Sequence, residues 1–187
     1  MAEQTYEKVL ELLGDQPALW VALRAIVERP YEVLKVERPF VGVGEAQHLE
    51  ASMLGASALE SGALAYTDRM RHFTSKGHKW RFLNVYDRRI VRDTDNDANR
   101  FVAYFVRYSL KLLSQTMSDV SRQADGDVDL LLVEFSRLIH RFNRIWEQLP
   151  GSFKYATLRV LPLDNQLLQF HPHYHIILTT YLACESL

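Results

Sequence analysis

Between residues 94 and 149 the apolar side chains fall at helical spacing in two long runs, and few architectures can absorb that pattern. Phe101, Phe105, Tyr108 and Leu112 recur at i, i+4, i+7 and i+11, which is one continuous face of a helix. Thr94 or Asp95 can cap it, and it reaches about Val120. Leu131, Phe135, Leu138, Phe142, Ile145 and Leu149 form a second stripe, closed by Pro150-Gly151. Only a short polar link around Asp125-Gly126-Asp127 separates the two runs. A link that short folds the chain back on itself, so the pattern predicts a long antiparallel helical pair.

The first half is more varied. Tyr6, Val9, Leu10 and Leu13 mark a helix over Glu3–Leu13 that stops at Gly14. Asp15 is the candidate cap of a second helix, with Pro17 in its first turn and Leu19, Trp20, Leu23, Ile26 and Val27 as its buried stripe. Pro30 ends it, because a proline pushes the preceding residue out of the helical region. Val33, Val36, Phe40, Val41 and Val43 are strand formers, and Pro39 places them at a sheet edge. Residues 50–66 read as a loose helix, 67–79 as a polar loop, and Trp80, Phe82, Val85 and Tyr86 as an extended segment. A final segment runs from Gln166 into Ile176-Ile177-Leu178. The fold class expected is α+β, mainly α: a small N-terminal β element with the long helical pair. The chain reads as one module, 1–187, with an α/β part over 1–92 and a helical part over 93–187.

Bulk properties exclude several function classes. The composition, 48% hydrophobic and 24% charged, is that of a globular domain with a real core. A formal net charge of −1 does not describe a general nucleic-acid binder, so any such surface is a local patch. Cys184 is the single cysteine, no basic-then-apolar leader opens the chain, and no apolar run approaches the ~20 residues that span a bilayer. A cytoplasmic protein that stays off the membrane is expected.

Few residues are arranged for chemistry. The run Asp93-Thr94-Asp95-Asn96-Asp97 resembles the start of a calcium loop, but the sixth and twelfth positions hold Ala98 and Tyr104 in place of the required glycine and glutamate. His171, His173 and His175 would share one face of a strand, whereas on a helix only His171 and His175 align. No carboxylate or cysteine lies among them to complete a zinc site, so no metal or other cofactor is expected. Nucleophile-elbow and phosphate-loop motifs are missing. Cations interleaved with aromatics are the one concentrated feature: Arg69, Arg71, Lys76, Lys79 and Arg81 beside His72, Phe73, His78 and Trp80, followed by Arg88, Arg89 and Arg92. Such a segment can neutralise a phosphate backbone and stack on bases.

The stretch Val91-Arg92-Asp93-Thr94-Asp95-Asn96-Asp97-Ala98-Asn99-Arg100-Phe101-Val102 resembles the D-T-P-E-N-R-F-V signature of the domain that precedes the nuclease in McrC-like restriction proteins. In the same order, Leu23-Arg24-Ala25-Ile26 with Arg29-Pro30 resembles the family's early L-R-x-I-x-x-x-P segment. Val41-Gly42-Val43-Gly44-Glu45-Ala46 is similar to its glycine turn. Leu161 to Gln169 together with Tyr174 resembles its closing S-x-x-L-Q-x-x-x-x-Y pattern. The similarity runs from about Leu19 to Tyr174. Asp97-Ala98 replaces the usual Pro-Glu, and Asn165 stands where serine is common.

This resemblance implies a non-catalytic adaptor in an anti-phage restriction assembly. It would couple an AAA+ GTPase or ATPase partner, or DNA, to a PD-(D/E)XK nuclease domain. That nuclease needs an acidic residue two positions before a lysine. The residues two before Lys8, Lys35, Lys76, Lys79, Lys111 and Lys154 are Tyr6, Val33, Thr74, Gly77, Ser109 and Ser152, so the motif is not in this chain and no enzyme activity is expected of it. Arg92, Asp95, Asn99 and Arg100 are the interaction candidates. The competing expectation is a stand-alone nucleic-acid-binding regulator that uses the 69–92 basic segment. A metal-dependent hydrolase built on the three histidines is the third.

Overall fold

A computed structural model describes residues 2–67, 72–122 and 129–187. In chain order the elements are α1 (Ala2–Leu13), α2 (Pro17–Glu28), β1 (Val33–Glu37), β2 (Phe40–Gly42), α3 (Ala51–Leu59), β3 (Leu64–Tyr66), β4 (Phe73–Ser75), β5 (His78–Phe82), β6 (Asn84–Tyr86), β7 (Arg89–Asp93), α4 (Asp97–Arg122), α5 (Asp129–Gln148), α6 (Gly151–Lys154), α7 (Gln166–Phe170) and α8 (Pro172–Glu185). The fold is α+β and mainly α. It comprises a helical unit, Met1–Glu32 with Thr94–Leu187, and a β-rich unit, Val33–Asp93. The expected division at 92/93 falls inside β7, one residue before the boundary between the units. However, the first 32 residues, which the sequence pattern groups with the α/β part, belong to the helical unit. Their apolar stripes are helical and need helical partners.

The helical unit is held by apolar burial. Phe101, Phe105, Phe135 and Phe142 are fully buried, as are Leu13, Leu19, Leu23 and Leu113. Each such side chain stabilises the fold by about 1.5–3 kcal/mol relative to exposure. Helices α4 and α5 form the expected antiparallel pair: Met117 meets Ser136 near one end, and Arg107 approaches Trp146 near the other. The rings of Trp20 and Phe142 lie 4.8 Å apart and those of Phe105 and Phe142 6.3 Å apart, so α2, α4 and α5 meet at Phe142. Tyr181 of α8 packs edge-on against Phe101 at 5.5 Å and Tyr108 at 5.1 Å.

The β-rich unit is three small antiparallel sheets: β1 with β7, β2 with β6, and β3-β5-β4. Helix α3 attaches to β6 through Ser57, whose hydroxyl donates to the Met53 carbonyl at 2.8 Å and accepts from the Tyr86 N–H at 2.9 Å. Two sequence expectations fail here. The loose helix over 50–66 stops at Leu59, and a turn with Gly62 at positive φ leads into β3. The polar loop over 67–79 contains β4 and the start of β5, joined by a two-residue turn at Lys76-Gly77. Both turn residues have positive φ, 49° and 79°, the geometry that suits the twist of a tight hairpin. Strand β4 is only three residues long and largely exposed, so it lacks a measurable apolar alternation, whereas β5 alternates Trp80 and Phe82 with the exposed Lys79 and Arg81. Two caps also differ. Gln16 precedes α2 without a side-chain cap, so Asp15 does not serve, and α4 begins at Asp97 after Asn96, not after Thr94 or Asp95.

Gly14 ends α1 for a steric reason. Its N–H donates to the Leu10 carbonyl at 2.6 Å, and a Cβ at this position would stand 2.7 Å from that oxygen and 3.3 Å from the Leu138 side chain. Gly14→Ala is therefore expected to lower stability by about 1–3 kcal/mol in urea unfolding, as overpacking does. A wild-type midpoint would contradict this packing.

Candidate functional site

The Asn-Arg pair that opens α4 sits at the best-defined polar site in the helical unit. Asn99 has no exposed surface. Its amide nitrogen donates to the Tyr31 carbonyl at 2.8 Å and the Thr94 carbonyl at 2.6 Å. Its amide oxygen accepts from the Tyr174 hydroxyl, which in turn accepts from the Tyr31 N–H at 3.0 Å. Asn96 completes the cluster. Its side-chain oxygen accepts from the Asn99 N–H at 3.0 Å, which caps the helix. Its nitrogen reaches the Tyr31 carbonyl at 2.9 Å. Tyr31 is where the chain leaves the helical unit, and Thr94 is where it returns. One buried amide thus ties both crossings to the start of α4 and, through Tyr174, to α8.

Burial keeps Tyr174 neutral. Its hydroxyl is pushed up to about 12 from the ordinary 10.0, chiefly by desolvation, with the Tyr31 N–H acting in the opposite direction. A raised folded-state value means that the contribution is complete below about pH 10 and is lost as pH rises through about 12.

Arg100 faces outward from the same turn. Its Nε and a terminal nitrogen grip both oxygens of Asp95 at 2.6 and 2.8 Å, and Asp97 lies 3.8 Å away. Both Arg100 and Asp95 are about one-third exposed, at 32% and 30%, so this fork orders the approach to α4 and still presents an edge to solvent. Arg92 is on β7 opposite Leu34 and is exposed.

The basic segment is divided by its local geometry. Lys76 stands at the hairpin turn, and Lys79 and Arg81 share one exposed face of β5. Arg88 pairs with Glu50 at 3.6 Å and Arg89 with Asp87 at 2.9 Å, so both are engaged by carboxylates. Arg69 and Arg71 lie outside the described residues.

Asp87 gives no sequence signal, yet it is the polar centre of the β-rich unit. It is fully buried, and one carboxylate oxygen accepts from the Gln47 and His48 N–H groups at 3.1 and 2.7 Å. The Arg89 bond and then the His48 N–H hold its carboxyl below the ordinary 3.8. Its stabilising contribution is therefore complete above that value and is lost as pH falls through the lowered one.

The histidines do not form one face. His171 immediately precedes α8, with its ring 5.7 Å from His173 and edge-on to Tyr174 at 5.2 Å, while His175 is exposed. Among the described residues, no three His, Cys, Asp or Glu side chains group as a metal site. Burial, reinforced by Glu185, raises the Cys184 thiol to about 11, so it is not a ready nucleophile at neutral pH. No family model, curated protein or solved structure matches this chain.

Two outcomes test the buried polar groups. Asn99→Ala strands Tyr174 and weakens both carbonyl contacts, so a loss of about 2–3 kcal/mol is expected in chemical unfolding. Tyr174→Phe should cost about 1–2 kcal/mol. The double variant should cost less than the sum, because the pair shares one bond. Strict additivity would show that the two side chains are not coupled. For Asp87, acid unfolding followed by circular dichroism should show the β-rich unit losing structure as pH falls below about 4. Asp87→Asn should weaken the unit at neutral pH and flatten that acid dependence. An unchanged acid profile would contradict the role given to this carboxylate.

Proposed function

We propose that the chain is a non-catalytic adaptor module of a McrC-like restriction assembly, coupling an AAA+ GTPase or ATPase, or DNA, to a nuclease domain. The observation that carries this reading is the meeting of three signature segments. Tyr31 directly follows Arg29-Pro30, Asn99 begins the Asn-Arg pair, and Tyr174 closes the terminal pattern. All three share one hydrogen-bonded cluster. A motif set that converges on a buried clasp has a structural purpose, and this favours a scaffold over a catalyst. Asn165 supports the same correspondence, since it caps α7 from the position where serine is common by accepting from the Leu167 and Leu168 N–H groups.

An adaptor also needs a surface. The β1–β7 ribbon supports this part of the reading. Leu34 pairs with Arg92 and Val36 with Ile90, so these four side chains share one face. Leu34, Val36 and Ile90 are 73%, 41% and 58% exposed. An apolar face with a cation at its end suits a protein partner better than water. The competing reading, a nucleic-acid-binding regulator, draws support from Lys76, Lys79 and Arg81 on the β4–β5 hairpin.

Co-elution with an AAA+ GTPase or ATPase of a McrC-like restriction system tests the adaptor reading. A complex is expected, and Leu34→Asp with Ile90→Asp should abolish it without altering the thermal melt. Failure of the wild type to form any complex would count against the adaptor reading. A complex that ignores the two substitutions would remove the ribbon from it. Magnesium- or manganese-dependent DNA cleavage by the purified chain would overturn the non-catalytic assignment.

A further inference from the structure

Helices α2 and α5 border a strip of guanidinium groups. On α2, Trp20, Arg24 and Glu28 follow at i, i+4 and i+8. On α5, Arg137, Arg141, Arg144 and Gln148 follow at i, i+4, i+7 and i+11, so each set lies along one helix face. Between them is an open groove of about 310 Å³ whose lining includes Trp20, Arg24, Glu28, Arg141 and Arg144, with Ile145 as an apolar member. Arg137 pairs with Glu134 at 3.7 Å. Among the described residues, Arg24, Arg141 and Arg144 have no carboxylate oxygen within 4.0 Å. Three guanidinium groups against Glu28 leave the lining positively charged.

The groove is partly built. The guanidinium carbon of Arg141 sits 3.7 Å from the centre of the Trp20 ring. That indole is 4% exposed and is held by its N–H bond to the Gly14 carbonyl at 3.3 Å. A guanidinium lying on an aromatic face keeps its N–H edge available for an anion. Burial, then the nearness of Arg24 and Arg137, makes the charged form of Arg141 less favourable, and a bound anion relieves that crowding.

The chemistry favours phosphate. One guanidinium fork satisfies a planar carboxylate, whereas forks arriving from two helices suit a tetrahedral group with acceptor oxygens on several sides. We propose that the α2–α5 groove binds the phosphodiester backbone of a nucleic acid, with Arg24, Arg141 and Arg144 contacting phosphate. Because Arg141 covers the Trp20 face, the groove offers no stacking platform, and binding through it is tolerant of sequence. This assignment stands apart from the adaptor reading, since it rests on the helical unit alone and is read by DNA affinity, not by co-elution.

Fluorescence anisotropy of a labelled DNA duplex at low and at physiological salt tests it. Arg24→Gln with Arg144→Gln, which spares the Trp20 stack, should weaken binding about tenfold at low salt and reduce the salt slope by about 2. Adding Arg141→Gln should lower the slope by about one more. Lysine at all three positions should retain most of the slope, because charge persists while the fork is lost. Thermal melts identify any variant that fails to fold. No duplex binding by the wild type, or affinity and slope unchanged in the groove variants, overturns the proposal. Inorganic phosphate shifting the arginine side-chain resonances without any duplex binding also overturns it, in favour of a small phosphate ligand.

Discussion

The junction at which the chain leaves and re-enters the helical unit depends on one buried amide. Asn99 is a polar side chain with no exposure, and an unsatisfied amide there would cost several kcal/mol. It is tolerated because its donor and acceptor atoms are both used, by the Tyr31 and Thr94 carbonyls and the Tyr174 hydroxyl. In low dielectric, satisfied bonds of this kind specify one arrangement strongly. The arrangement specified is a junction where the chain departs into Val33–Asp93 and comes back. Closing an excursion of about sixty residues costs on the order of 3–4 kcal/mol in chain entropy. The clasp marks where that closure is held.

The two units are stabilised differently. The helical unit has a continuous apolar core in which Phe142 links α2, α4 and α5. The β-rich unit has short strands and few fully buried apolar side chains, and it relies on buried polar groups, Asp87 and Ser57, to fasten a loop and a helix to its strands. A unit built this way can leave Leu34, Val36 and Ile90 outside, because its integrity does not require their burial. That exposure is the surface on which the proposed adaptor role rests.

Legibility in the sequence followed the physics of each region. The stripes Phe101–Phe105 and Phe135–Phe142 predict their helices and their pairing, because long amphipathic periodicity survives any tertiary context. Trp80 and Phe82 mark most of β5 as extended, but the strand at 73–75 and the hairpin turn are not legible, since a three-residue strand beside a turn has no measurable alternation and Lys76 is not a residue expected at positive φ. Asn99 and Arg100 stand out by resemblance, and Asn99's role as a tie between the preceding loop and the first helical turn is consistent with its chemistry. That Tyr31 and Tyr174 complete the clasp was beyond pattern reading, because they lie 68 and 75 residues from Asn99. Asp87 was missed for a similar reason, as its partners Gln47 and His48 are about 40 residues away. The groove arginines are unremarkable exposed cations in sequence, and they become a group only when α2 and α5 pack.

The most direct measurement of the clasp is amide hydrogen exchange at Tyr31. This N–H lies outside any helix or strand, and its partner is the Tyr174 hydroxyl. The account predicts that it exchanges as slowly as the core amides of α4 in the wild type and becomes fast in Asn99→Ala, while the α4 core stays comparatively protected. Exchange at Tyr31 as rapid as in an exposed loop of the wild-type protein would contradict the claim that a buried amide holds the junction.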